Sequence, residues 1–184
     1  MSKSLIVQKY GGTSVGTLER IEHVADRIDK VRKTGVDIVV VVSAMAGETD
    51  KLLKMARSLS KNPARREVDM LLSSGERISA ALLALALQSR GIPAFSMTGR
   101  QIGLQTDSTH TRARITNIDT RRARKMLNEN HVIVVAGFQG INEEGDVTTL
   151  GRGGSDTSAV ALAVALGARQ CEIYTDVDGV YTTD

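Results

Sequence analysis

Val36-Asp37-Ile38-Val39-Val40-Val41-Val42, running directly into Ser43-Ala44-Met45-Ala46-Gly47, is the stretch that decides the fold of this 184-residue chain. Six of its first seven residues are β-branched, with Asp37 the exception. Such a run predicts a strand buried on both faces, as a parallel sheet covered by helices requires. Upstream, Leu5-Ile6-Val7 is a short apolar run ending in glycines. From Leu18 to Lys33, Ile21, Val24, Ala25, Ile28 and Val31 then recur at helical spacing, and Gly35 closes that helix. Downstream, helices are expected from Asp50 to Leu59 and from Arg65 to Ser89, interrupted at Asn62-Pro63 and ended by Gly91. Ala94–Met97, His131–Ala136 and Cys171–Thr175 read as strands, and Thr157–Leu166 as an apolar helix. Asp119 reads as the N-cap of a basic helix to Asn130. Ile102–Leu104 and Ala113–Ile115 pair as a candidate hairpin, and Gly145-Asp146 forms a turn between Gly140 and Thr149. This alternation predicts an α/β fold of βαβ units around a mostly parallel sheet, with ligands beyond the C-terminal strand ends.

Composition narrows the function. At 41% hydrophobic and 24% charged residues, with 17 Gly and 2 Pro, the chain is neither disordered nor collagen-like. With no Trp, 3 Tyr and 2 Phe it has an aliphatic core and no stacking platform for bases. A single cysteine, Cys171, excludes an internal disulfide and a Cys-based zinc cage, and fits a reducing compartment. His23, His110 and His131 are scattered, so no metal site is expected, and His110 alone sits in an informative loop. A net charge of +3 does not imply nucleic acid. The basic stretch from Arg100 to Lys125 lacks interleaved aromatics and reads as a solvated face or subunit contact. Met45, Met55, Met70, Met97 and Met126 are expected in or near the core. Without a signal-like start or an uninterrupted apolar run of about 18 residues, a cytoplasmic chain with no membrane span is expected.

Two glycine-rich turns carry the chemistry. Lys9-Tyr10-Gly11-Gly12-Thr13-Ser14 links the first strand and helix, where backbone N–H groups, a helix N-terminus and Lys9 make an anion site suited to phosphate. It matches neither the P-loop nor the dinucleotide fingerprint, and a generic turn is the competing reading. Leu150-Gly151-Arg152-Gly153-Gly154-Ser155-Asp156 opens a second helix. Its glycines allow a backbone nest, and Arg152 offers a planar fork for a carboxylate or phosphate. Asp156 reads equally as a first-turn residue favoured by the helix dipole. Ser43 and Thr49 offer hydroxyls to a ligand or caps to the chain. Gly75 in the long helix requires a close neighbour to justify its cost. Glu76 beside it binds an ammonium group or pairs with Arg77 in solvent.

In register, Lys9–Ser14, Ser43–Met45, Gly75–Arg77, Gly137–Gln139–Gly140, Leu150–Asp156 and Tyr174–Asp184 resemble the aspartate kinase (aspartokinase) family, most of all its monofunctional bacterial form. The resemblance spans the whole chain. It implies the amino acid kinase fold, a three-layer α/β/α sandwich, and transfer of the ATP γ-phosphoryl to the β-carboxylate of L-aspartate. That reaction opens the diaminopimelate route to lysine, threonine and methionine. By the same resemblance Lys9 contacts the transferred phosphate, Gly11, Gly12, Thr13 and Ser14 shape its loop, and Asp156 orients the lysine. Glu76 takes the substrate's α-amino group and Arg152 its α-carboxylate, with Ser43, Thr49, Gly153, Gly154 and Ser155 lining the site. Thr175, Asp176, Tyr181, Thr182 and Asp184 begin the nucleotide pocket, and Mg²⁺ arrives with ATP. Family members continue past Tyr-Thr-Thr-Asp into the rest of the nucleotide lobe and regulatory ACT domains. Residues 1–184 are therefore expected to be a single incomplete catalytic domain, weak or inactive alone, from a homo-oligomeric or ACT-linked enzyme. A sister kinase for acetylglutamate, glutamate, carbamate or a nucleotide, and a non-catalytic aspartate-binding piece needing a complementing chain, are the alternatives.

Overall fold

The computed structural model describes residues 3–175. Its main sheet has the order β3-β6-β2-β1-β9, with every neighbouring pair parallel. The strands are β1 (Leu5–Tyr10), β2 (Asp37–Val42), β3 (Ala94–Met97), β6 (Val132–Ala136) and β9 (Gln170–Tyr174). Because side chains alternate across a strand, the valine run of β2 serves both layers. Val40 and Val42 join Ile21, Ile28, Leu83 and Leu87 beneath α1 (Leu18–Arg32) and α3 (Arg65–Gln88). Val39 and Val41 join Leu162, Leu166 and Leu127 beneath α6 (Gly154–Leu166) and α5 (Arg121–Asn128). This is the three-layer α/β/α sandwich expected from the sequence.

A second sheet of order β5-β4-β7-β8 packs against α3 and α4 (Gly99–Ile102). It comprises β4 (Leu104–Thr106), β5 (Ile115–Ile118), β7 (Gln139–Ile141) and β8 (Val147–Thr149). The expected hairpin exists with altered bounds: Leu104 pairs Ile118 and Thr106 pairs Ile115, antiparallel, while Ile102 belongs to α4. The cap of α5 is Thr120. Asp119 instead accepts from the Arg121 N–H and guanidinium, which holds its carboxyl near a pKa of about 2. Met97 is buried, but Met55 and Met70 are exposed on α2 (Glu48–Leu59) and α3, contrary to the core placement expected for them. Helix α3 is long and apolar enough to cross a membrane by length and composition. Its buried face, however, includes Asp69, Ser73, Glu76 and Ser79, which marks a core helix of this fold.

Helix α6 is apolar all round, yet only one of its faces packs. Ala159, Leu162, Ala163 and Leu166 are buried, whereas Val164 is 78% exposed. Leu162→Ala should therefore cost about 2–5 kcal/mol in urea denaturation, while Val164→Ala should stay within about 0.5 kcal/mol.

Candidate active site

The C-terminal ends of β1, β2 and β6 open into a cavity of about 360 Å³, the size of a small-metabolite site. Lys9 shares the face of β1 that carries Val7, so its chain runs toward α6. There its Nζ lies 2.7 Å from Asp156 Oδ1, an ion pair whose alignment is not that of a hydrogen bond. Glu76 enters from the opposite layer, on α3. The Ala44 N–H donates to Glu76 Oε1 at 3.2 Å, and Oε2 is buried without a partner among the described residues. The Arg77 guanidinium turns away to Ser73, so the solvated Glu76–Arg77 pair does not form. Arg152 lies at the exposed rim of the cavity and makes no ion pair with any described residue.

Glycine makes these approaches possible. A Cβ on Gly12 would stand 2.8 Å from the Ala44 carbonyl, and one on Gly75 would stand 2.8 Å from the Ala44 Cβ. Ala44 is thus clasped between the first glycine turn and α3, which explains a glycine inside a buried helix. The Ala46 N–H donates to the Gly12 carbonyl at 3.2 Å and closes the same contact from the other side. A Cβ on Gly137 would meet Ser155 Oγ at 2.9 Å, fitting the end of β6 against the start of α6.

The positive ends of two helices face the cavity. Helices α2 and α6 begin after Gly47 and Gly153, both left-handed and both without a side-chain cap, and both glycines line the cavity. Their first N–H groups favour an anion there. Helix α1 starts at Leu18, as its spacing predicts, and Thr17 caps it by accepting from the Arg20 N–H; none of its residues lines this cavity, so the anion site expected at its N-terminus is not part of it.

The cavity gathers Lys9, Gly12, Ser43, Thr49, Glu76, Arg152, Gly153, Gly154, Ser155 and Asp156. Gly11 lies just behind it, its N–H bonded to the Tyr174 carbonyl. Thr13 accepts from Arg20 through its carbonyl. Ser14 and Thr175 line a neighbouring cavity of about 650 Å³ beside the stacked rings of Tyr10 and Tyr174. Asp176, Tyr181, Thr182 and Asp184 lie outside the described residues. Sequence reasoning missed Ala44 and Phe138. The second has a left-handed φ of 68°, and the glycines on either side of the Phe138-Gln139 pair were its signal. Among the described residues no three His, Cys, Asp or Glu side chains are grouped as for a metal ion.

The parallel α/β sandwich thus brings a lysine, a buried carboxylate and two helix N-termini together at its strand ends. The chain belongs to the amino acid kinase family, whose profile matches residues 4–184. Curated relatives at 55–60% identity are aspartate kinases. One from Stutzerimonas stutzeri is 60% identical over 181 residues, covering 98% of this chain and 44% of that protein. The crystal structure of aspartate kinase from Synechocystis superposes with a TM-score of 0.85 at 54% identity, over 98% of this chain and 29% of that one. E. coli aspartokinase III, solved with aspartate and ADP, superposes with a TM-score of 0.82 at 29% identity, over 98% of this chain and 51% of that one. The chain spans less than half the length of the curated relatives it matches.

Burial pushes the Glu76 carboxyl up to about 7, offset in part by the Ala44 amide. The raised value means that folding favours the neutral acid. Its stabilising effect is complete below the usual 4.5 and is lost as pH rises through 7. Between pH 4.5 and 8, Glu76→Gln should gain about 3 kcal/mol relative to the parent chain, read from urea midpoints at both pH values.

Proposed function

We propose that this chain forms the aspartate-binding part of an aspartate kinase, with the start of a nucleotide lobe at its C-terminal end. The observation that carries the reading is a single cavity in which a carboxylate oxygen of Glu76 and the guanidinium of Arg152, both without a partner among the described residues, flank the Lys9–Asp156 pair. An α-amino acid with a second carboxylate complements all three. Its ammonium group meets Glu76, its α-carboxylate meets Arg152, and its side-chain carboxylate points toward Lys9.

A carboxylate acceptor is already ionised at neutral pH, so no residue has to remove a proton. An oxygen of the β-carboxylate forms a bond to the γ-phosphorus as the bond to the bridging oxygen of ATP breaks, releasing ADP. Positioning and charge neutralisation then supply the rate. Lys9, held by Asp156, neutralises the transferring phosphoryl group, aided by the N-termini of α2 and α6. Mg²⁺ bound to the ATP phosphates would add its charge there. Ser43, Thr49 and Ser155 line the cavity with hydroxyls. Ser14 and Thr175 line the neighbouring cavity, which we assign to the nucleotide; the family resemblance assigns Gly11, Thr13, Asp176, Tyr181, Thr182 and Asp184 to nucleotide binding as well. The reading carries with it a cytoplasmic enzyme of amino-acid biosynthesis, assembled as an oligomer or with an ACT-containing regulatory segment.

Calorimetry on this chain should show binding of L-aspartate but not of succinate, which lacks the ammonium group. Arg152→Ala should weaken L-aspartate binding about tenfold or more, and an unchanged affinity would refute its role. In ADP-release assays of the enzyme that contains this segment, Lys9→Ala should lower kcat by about 10²–10³ with little change in folding. Near-normal turnover would remove Lys9 from the chemistry.

A further inference from the structure

Asp69 takes no part in the cavity, yet it is the most deeply buried acid of α3, at 0% exposure, and among the described residues no lysine or arginine pairs with it. It stands two turns before Glu76 on the same helix face. Its Oδ1 accepts from Thr149 Oγ1 at 2.5 Å, and its Oδ2 lies 2.7 Å from His110 Nδ1. The Thr111 N–H donates to both oxygens, at 3.1 and 3.0 Å. A carboxylate buried this way is costly unless its oxygens are satisfied. Here every donor comes from two segments that converge on the Arg152 loop.

We infer that Asp69, His110 and Thr149 form a buried latch that sets the position of the Arg152 loop, and are positioning residues for recognition of the substrate's α-carboxylate. The inference rests on the reading of Arg152 given above. Thr149 ends β8 and immediately precedes the Leu150–Asp156 nest. Its carbonyl accepts from the Ala113 N–H at 2.9 Å, and the Leu150 N–H donates to the Phe138 carbonyl at 2.9 Å. The base of the nest is therefore held from three directions while Arg152 and Gly153 stay exposed. Thr111 is held at φ 70°, a left-handed conformation that a β-branched residue adopts only when its surroundings enforce it. Its carbonyl then closes to 3.3 Å of the Cβ position of Gly151, itself at φ 80°. One face of α3 thus fixes both ends of the ligand: Glu76 directly, and Arg152 through the latch.

The test uses this chain and Thr149→Val, which keeps the side-chain shape and removes the hydroxyl. Hydrogen exchange at amides 150–154 should accelerate about tenfold or more while β6 keeps its protection. The L-aspartate Kd should rise about tenfold, and Thr149→Ser should restore both. If Thr149→Val folds too poorly to measure, His110→Ala, at a side chain 18% exposed, should produce the same local acceleration. Unchanged exchange at 150–154 with β6 protection intact would overturn the latch. If the parent chain shows no aspartate binding, the substrate reading fails, and the exchange experiment still decides the latch.

Discussion

Two carboxylates buried on one face of α3 constrain the rest of the molecule. Water solvates an acid far better than a protein interior does, so Asp69 and Glu76 persist inside only because the surroundings address each of their oxygens or leave one for a ligand. Asp69 has three donor groups and is closed off. Glu76 has one amide and, among the described residues, an open oxygen. The contrast separates an acid closed off inside the structure from one that faces the cavity, where the proposed function gives it the substrate's ammonium group. The small second sheet, the left-handed Thr111 and the loop from Asp107 to Arg114 all bring donors to the first; the cavity exists around the second.

The parallel sheet positions these acids by simple means. Alternation along β1 sends Val7 and Lys9 to the α6 side, so the lysine meets Asp156 in the first turn of that helix. Helix α3 lies on the other side, so Glu76 reaches the same opening from the opposite layer. Charged groups that would repel or quench one another in a single layer are kept apart by the thickness of the sheet and meet only beyond the strand ends, where α/β sheets bind ligands.

Much of this was legible in the sequence. The valine run of β2 announced a strand buried on both sides, and the glycine inside α3 announced a close neighbour, which proved to be Ala44. The Lys9, Glu76 and Arg152 segments meet in one cavity as their motifs suggested. Other features were hidden for identifiable reasons. Asp69 sits in an apolar helical stretch, and its partners His110 and Thr149 are remote in sequence, so nothing local marks it. The strands β4, β5, β7 and β8 hold three or four residues each, too few for a period of two to register. Met55 and Met70 were assigned inward by residue type, although the helix faces they occupy point to solvent.

The clasp of Gly12 and Gly75 around Ala44 has an evolutionary consequence. Three segments distant in sequence meet at a spacing with no room for one more carbon atom. A drifting sequence cannot enlarge any one of these positions and recover by adjusting the others, since each is already at or next to the smallest side chain available. Positions 12, 44 and 75 are therefore sterically one unit: either all three stay small, or the mouth of the cavity needs a different backbone.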